Sequence, residues 1–303
     1  MSAAANLSVR PADAVAGRGE SGGRRGFAGY LLLLPGALWL LLFFVVPTVT
    51  LVATSLYDPS GSLQTGYQMT GHWQNYVDAT RDYLPQIIRS FVYAITATVV
   101  CIILGYPLAY AIAFKAGRWK NLMLVAVIAP FFTSFLVRTL SWQYLLGDNE
   151  ALVSILRSLH VLGPEGHLLA TPFAVVTGLS YNFLPFMVLP LYASLEKVDP
   201  RLIEAGADLY ASPFTAFRKI TLPLSMPGLV AGTLLTFIPA CGDYINSKLL
   251  GSTNTTMIGQ VIDGQFLRVL DYPTAAALSF VLMVTIVVLV AVYVRRAGTE
   301  ELV

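Results

Sequence analysis

The sequence predicts an all-α integral membrane protein with six transmembrane helices and both termini in the cytoplasm. Three observations carry that expectation. Of 303 residues only 12% are charged and 56% are apolar, with a mean hydropathy of +0.67, whereas water-soluble domains hold about 25% charged residues. A chain with so little polar cover cannot coat a soluble globule, so its apolar surface faces hydrocarbon. Secondly, the charges are placed so that six long gaps remain between them, each near the roughly 20 residues a helix needs to cross a bilayer. Thirdly, an even number of spans puts both ends on one side, and the basic residues say which side that is.

The gaps are taken in order. Residues 1–26, rich in Ala, Gly, Ser and Arg, read as a disordered basic cytoplasmic tail. The run 26–57 follows Arg24 and Arg25 but is far longer than the roughly 7–15 apolar residues of a secretory signal, and no A-x-A site closes it. It is expected to be a retained first span. Gaps at 90–114, 168–195, 220–242 and 272–294 give the second, fourth, fifth and sixth spans. The third, 121–137, is extended past Arg138 towards Leu146, with Arg138 expected to snorkel to the interface along its aliphatic stem. The transmembrane domain therefore covers 27–296, and 297–303 form a short second tail. Prolines stand inside or beside most spans, among them Pro47, Pro107, Pro130, Pro185, Pro190 and Pro239, and each removes a backbone donor and tends to bend its helix.

With the termini inside, thirteen bases (Arg10, Arg18, Arg24, Arg25, Lys115, Arg118, Lys120, Lys197, Arg201, Arg218, Lys219, Arg295 and Arg296) fall on the cytoplasmic side. Six (Arg81, Arg89, Arg138, Arg157, Lys248 and Arg268) fall outside. That asymmetry obeys the positive-inside rule. Acids divide eight to nine, which leaves the inside at +5 and the outside at −3. A net charge of +2 gives no reason to expect nucleic acid as a partner.

Several chemistries are excluded by what is missing. Cys101 and Cys241 sit singly in apolar runs, and His72, His160 and His167 form no HExxH, so neither a disulfide framework nor a metal site is expected. No GxxxxGK[ST] loop is present, so the chain itself is not expected to bind ATP. No catalytic residue and no cofactor are expected.

The most informative polar stretch is 196–223, where eight charges crowd one cytoplasmic loop. Asp199 before Pro200, and Ser212 before Pro213, each place a capping side chain ahead of a proline suited to the first helical position. Two short helices at an angle are expected. On the first, Ala205, Gly206 and Ala207 remove bulk at successive positions, so that another protein could approach closely, with Glu204 offering a charge beside them. A plain interfacial hairpin fits these residues equally well.

This segment resembles the EAA loop of binding-protein-dependent ABC importer permeases. The pattern falls on Glu204, Ala205 and Gly206, then Tyr210, Ile220, Leu222 and Pro223, with Pro227 beyond. Gly206 replaces a small residue conservatively, while Tyr210 stands where the pattern has glycine. Further runs, Ala129 to Ser134 with Val137-Arg138-Thr139, Tyr181 to Tyr192, and Phe237 to Ala240, are similar to the first permease subunits of spermidine/putrescine importers. The resemblance covers roughly 27–296. It implies a MetI-like ABC importer permease fold in the bacterial inner membrane and a second, homologous permease as partner. It also implies two ATP-binding cassette ATPase subunits docked on the EAA loops, and an extracytoplasmic solute-binding protein that delivers a polyamine. Members of the same family carry iron, thiamine, sulfate or other solutes, and those stay open. So does an ATP-independent channel or secondary transporter.

A polyamine path needs carboxylates for charge and aromatic faces for cations and methylenes. Asp243, flanked by Tyr244 at the end of the fifth span, is the sharpest candidate, with an interfacial loop carboxylate as the equal alternative. Tyr181 and Asn182 lie within the fourth span, where the amide needs either a cavity or a helix-helix hydrogen bond. Trp142, near the outer end of the third, could stack on substrate or belong to an interfacial aromatic belt.

Overall fold

The structure, a computed structural model, describes residues 25–297 apart from Leu63 and Pro164. Residues 1–24 and 298–303, and with them most of both expected tails, thus lie outside the described residues. Among the described residues there are helices, turns and two isolated bridges, and no β-sheet.

The helices are numbered here in chain order. Helix α1 runs over 25–55 and α2 is Gln74–Asp82. Helix α3 is Leu84–Lys115, α4 Gly117–Phe132, α5 Phe135–Leu145 and α6 Ala151–Ser158. Then come α7 (Pro172–Leu195), α8 (Pro200–Asp208), α9 (Pro213–Leu224), α10 (Met226–Cys241) and α11 (Ile245–Leu250). Helix α12 starts as Ile258–Gly264 and continues to Val269, and α13 is Tyr272–Ala297. Wide π-type turns interrupt α1 at Leu41–Val45 and α9 at Phe217–Thr221, and in both a proline, Pro47 or Pro223, follows two residues later. The missing amide of the proline is absorbed by the widened turn ahead of it.

Four helices are long and apolar enough to cross a membrane, or up to six if each of two bent pairs counts as one span. The straight ones match the first, second, fourth and sixth gaps in charge. The third gap is not a continuous span: α4 and α5 meet at 94°. At the break Thr133 and Ser134 are extended, with ψ of 145° and 139°, and Pro130 stands one turn earlier. Arg138, expected to snorkel, is instead buried at 8% exposure. Because the chain turns at 133–134, Arg138 is carried on α5 against its neighbours and not outward along the axis of α4. The fifth gap is also bent, by 66°, between α9 and α10.

The chain divides into two units at Thr50. Within the second, from Leu51 on, α3, α7 and α10 form the centre. Leu179, Phe183, Met187, Leu191 and Leu195 supply the buried stripe of α7, against Ala94, Ala97, Cys101 and Ala109 of α3. Small residues bring the backbones together. A Cβ on Gly232 of α10 would stand 3.0 Å from the Met187 carbonyl oxygen, and one on Gly105 of α3 would stand 3.1 Å from Met187 Cγ. Lipid gives helices no hydrophobic reason to associate, so close backbone packing of this kind is what holds them.

Candidate coupling surface and pathway

The loop between α7 and α10 forms its two helices as the capping residues require. Asp199 Oδ1 accepts from the Arg201 amide at 2.9 Å, and Ser212 Oγ accepts from the Thr215 amide at 3.2 Å. Helix α8 ends where the amides of Tyr210 and Ala211 donate back to Ala207 and Gly206 at 2.9 and 3.1 Å. That paired closure requires a left-handed residue at Tyr210, whose φ is indeed +61°. Tyr210 therefore makes the turn that glycine makes elsewhere, and its side chain stands 99% exposed.

The three small residues do not share one role. Gly206 is buried, and a Cβ there would stand 2.9 Å from Ile220 Cδ1, so it lets α8 pack on α9 of its own loop. The expectation that Gly206 opens the surface to another protein is thus corrected: helix periodicity turns it inward. Ala205, Ala207 and Glu204 remain on the exposed face. Leu209, Tyr210 and Phe214 extend that face with apolar surface at 72% exposure or more. Behind it, Ile220 and Leu222 are half-buried while Pro223 is exposed. The loop is fastened to the bundle through α9. Phe217 packs edge-on to Tyr106 of α3 at 5.4 Å, and the Tyr106 hydroxyl lies 2.7 Å from Ser225 Oγ. Across the same end, Lys120 of α4 pairs with Glu196 at 2.6 Å.

The pathway candidates separate into three places. Trp142 and Tyr181 meet edge to face at 5.5 Å and line a cavity of about 690 Å³ with Tyr93, Phe173 and Leu184. Asn182, on the next face of α7, is buried and reaches Thr139 Oγ1 and Asn246 Oδ1, both at 3.2 Å. Asp243, at 8% exposure, accepts at Oδ1 from the Asn246 amide at 2.8 Å and at Oδ2 from Asn246 Nδ2 at 3.2 Å. Burial pushes the Asp243 carboxyl up to about 6 against those hydrogen bonds. Tyr244, 41% exposed, lies beside Lys248, whose Nζ is 5.9 Å from the ring.

Asn246, on α11, is thus the hub that joins Asp243 to Asn182 and Thr139. Gly178 makes room for it, since a Cβ there would stand 2.6 Å from Asn246 Oδ1. The sequence reading missed Asn246. It sits three residues past Asp243 in a short polar stretch, and its partners lie 64 and 107 residues away. Only the rule that a buried amide requires a partner would have pointed towards it.

The profile of the family described as "Binding-protein-dependent transport system inner membrane component" matches residues 102–297, which include every helix from α4 to α13. The chain belongs to this family. It is also 35% identical over 258 residues to the spermidine/putrescine transport system permease protein PotB of Haemophilus influenzae, covering 85% of this chain and 90% of that protein. Against PotB of Escherichia coli it is 36% identical over 260 residues, covering 86% and 94%. Among solved structures, a chain of a bacterial alginate ABC transporter, in complex with its alginate pentasaccharide-bound periplasmic protein, superimposes with a TM-score of 0.65 at 16% identity. That match covers 92% of this permease and 96% of that chain, and it shows a shared importer-permease fold. The resemblance read from the EAA pattern and the proline-aromatic runs is borne out.

Proposed function

We propose that the chain is the six-span permease subunit of an ATP-driven importer that carries a polyamine, spermidine or putrescine, across the bacterial inner membrane. Each bent helix pair then counts as one span, and both termini lie in the cytoplasm, where thirteen of the nineteen bases gather. A second homologous permease stands beside it, and a solute-binding protein delivers the polyamine from outside. Two ATPase subunits dock on the EAA loops, one of them on the exposed face of α8, and they hydrolyse the ATP.

The observation that carries this reading is the 35–36% identity to polyamine permeases over most of both chains, joined to a coupling loop with an unpartnered apolar face. The mechanism follows from the fastenings described above. Closure of the ATPase dimer displaces α8. Gly206 against Ile220 passes the displacement to α9, and Phe217 and Ser225 against Tyr106 pass it to α3. The bundle then moves as a rigid body between outward and inward openings.

Binding by the cognate solute-binding protein sets the specificity, so calorimetry with that protein is the test. Spermidine or putrescine is expected to bind, and sulfate and thiamine are not. Tight binding of an anion instead of a polyamine would move the chain to the anion-importing branch of the family, a second reading favoured by one observation, the buried Arg138.

A further inference from the structure

Arg138 is the least satisfied group in the bundle. It stands on α5 at 8% exposure, with its guanidinium carbon 5.1 Å from the Phe131 ring and 5.6 Å from that of Phe135. Its Nε and Nη1 are buried without a hydrogen-bond partner. Among the described residues it makes no ion pair. Asp243, the buried acid just past the end of α10, already engages Asn246 with both oxygens. Arg138 lines an open cavity of about 670 Å³ together with Asn182, Phe183 and Phe186 of α7 and with Leu234 and Ile238 of α10. Phe183 and Phe186 lie at the middle of the 24 residues of α7, which places the cavity at mid-depth of that span.

A charge at that depth is not left facing lipid. Intramembrane arginines turn to protein or water and pair with an acid or with carbonyls, and an unpaired buried ion costs several kcal/mol even after relaxation. Around the mouth, Leu235 and Ile238 are exposed by 40% or more, an apolar rim that fits protein or lipid but not open water. The occupant must therefore bring a negative group within an apolar surface. A polyamine cannot be that occupant, because the guanidinium repels its ammonium groups.

We propose that Arg138 anchors an interface site completed by a carboxylate side chain of the companion permease subunit. This rests on the reading that the chain works beside a second permease. Guanidinium and carboxylate match as a planar fork, and the Phe131 and Phe135 rings hold the guanidinium in place before the partner arrives. Arg138 is then a positioning residue for assembly and makes no contact with the solute.

The test compares wild type, Arg138→Met and Arg138→Lys, each as the isolated chain in detergent and as the full transporter co-expressed with its companion permease and ATPases. Removing one member of a buried pair strands the other, whereas removing a lone buried charge relieves the protein. Arg138→Met is therefore expected to lower the Tm of the assembled transporter and to reduce the companion permease retained on it by about tenfold or more. In the isolated chain it should leave Tm unchanged or raised. Arg138→Lys should fall between wild type and Arg138→Met. These effects should be the same with and without spermidine. An assembled Arg138→Met transporter as stable as wild type overturns the site, as does equal loss of stability in the isolated chain. An effect seen only with a bound anionic solute, such as sulfate, assigns the negative group to that solute and overturns the companion. Failure of the wild-type chain to co-purify with a companion permease and ATPases overturns the permease reading itself, before any variant is made.

Discussion

At the scale of single residues, Asn246 has the largest predicted effect. Its side chain donates to Asp243 Oδ2 and accepts from Asn182 and Thr139, so Asn246→Ala leaves Asp243 Oδ2 without that partner and removes an acceptor shared by Asn182 and Thr139, while the amide of residue 246 still reaches Asp243 Oδ1. A loss of about 3 kcal/mol is expected, read as a fall in Tm of the purified protein. Asp243 supplies a pH dependence of definite sign. Its carboxyl is raised to about 6 in the folded chain, so between the ordinary aspartate value and 6 the folded state holds more proton than the unfolded one. Stability contributed by this group is present at lower pH and is lost as pH rises through that window. The Tm of the wild type should thus fall between about pH 4 and 6 by an amount missing from Asp243→Asn. A parallel pair of profiles would contradict the assignment.

At the scale of elements, the α8–α9 loop makes opposite predictions for neighbouring positions. Tyr210 holds a left-handed backbone that costs a non-glycine residue about 1 kcal/mol, so Tyr210→Gly should raise Tm slightly while leaving the helix end intact. Gly206→Val, two residues before the end of α8, should push α9 off α8 and weaken both stability and coupling. Glu204→Arg and Ala205→Trp, on the exposed face, should leave Tm unchanged and reduce ATPase co-purification and uptake. Undiminished uptake with both would remove this face from the coupling role. The elements also show what a sequence can and cannot convey here. Gaps in charge give the length of an apolar segment, so four long apolar helices and two bent pairs could be located from them, and proline after a capping residue gave both starts in the loop. Direction is not encoded in such gaps. The 94° break at Thr133–Ser134 and the inward turn of Gly206 depend on which neighbours each face meets. For the same reason Arg138 could be read as an end-of-span residue but not as a buried one, and Asn246 could not be seen at all.

At the scale of the whole molecule, the account requires the termini and the α7–α10 loop on one face of the membrane and α6 on the other. In intact cells an impermeant maleimide should label Val161→Cys, which is well exposed beyond α6, and should spare Thr299→Cys until the membrane is opened. The reverse pattern would invert the topology. The central claim is that the chain conducts a polyamine only as part of an ATP-driven assembly. Its most direct test is uptake of labelled spermidine into proteoliposomes. Uptake is expected with the companion permease, both ATPases, the solute-binding protein and ATP all present, and none is expected from this chain alone. Flux of spermidine through the chain by itself, or through the full assembly without ATP, would contradict the claim.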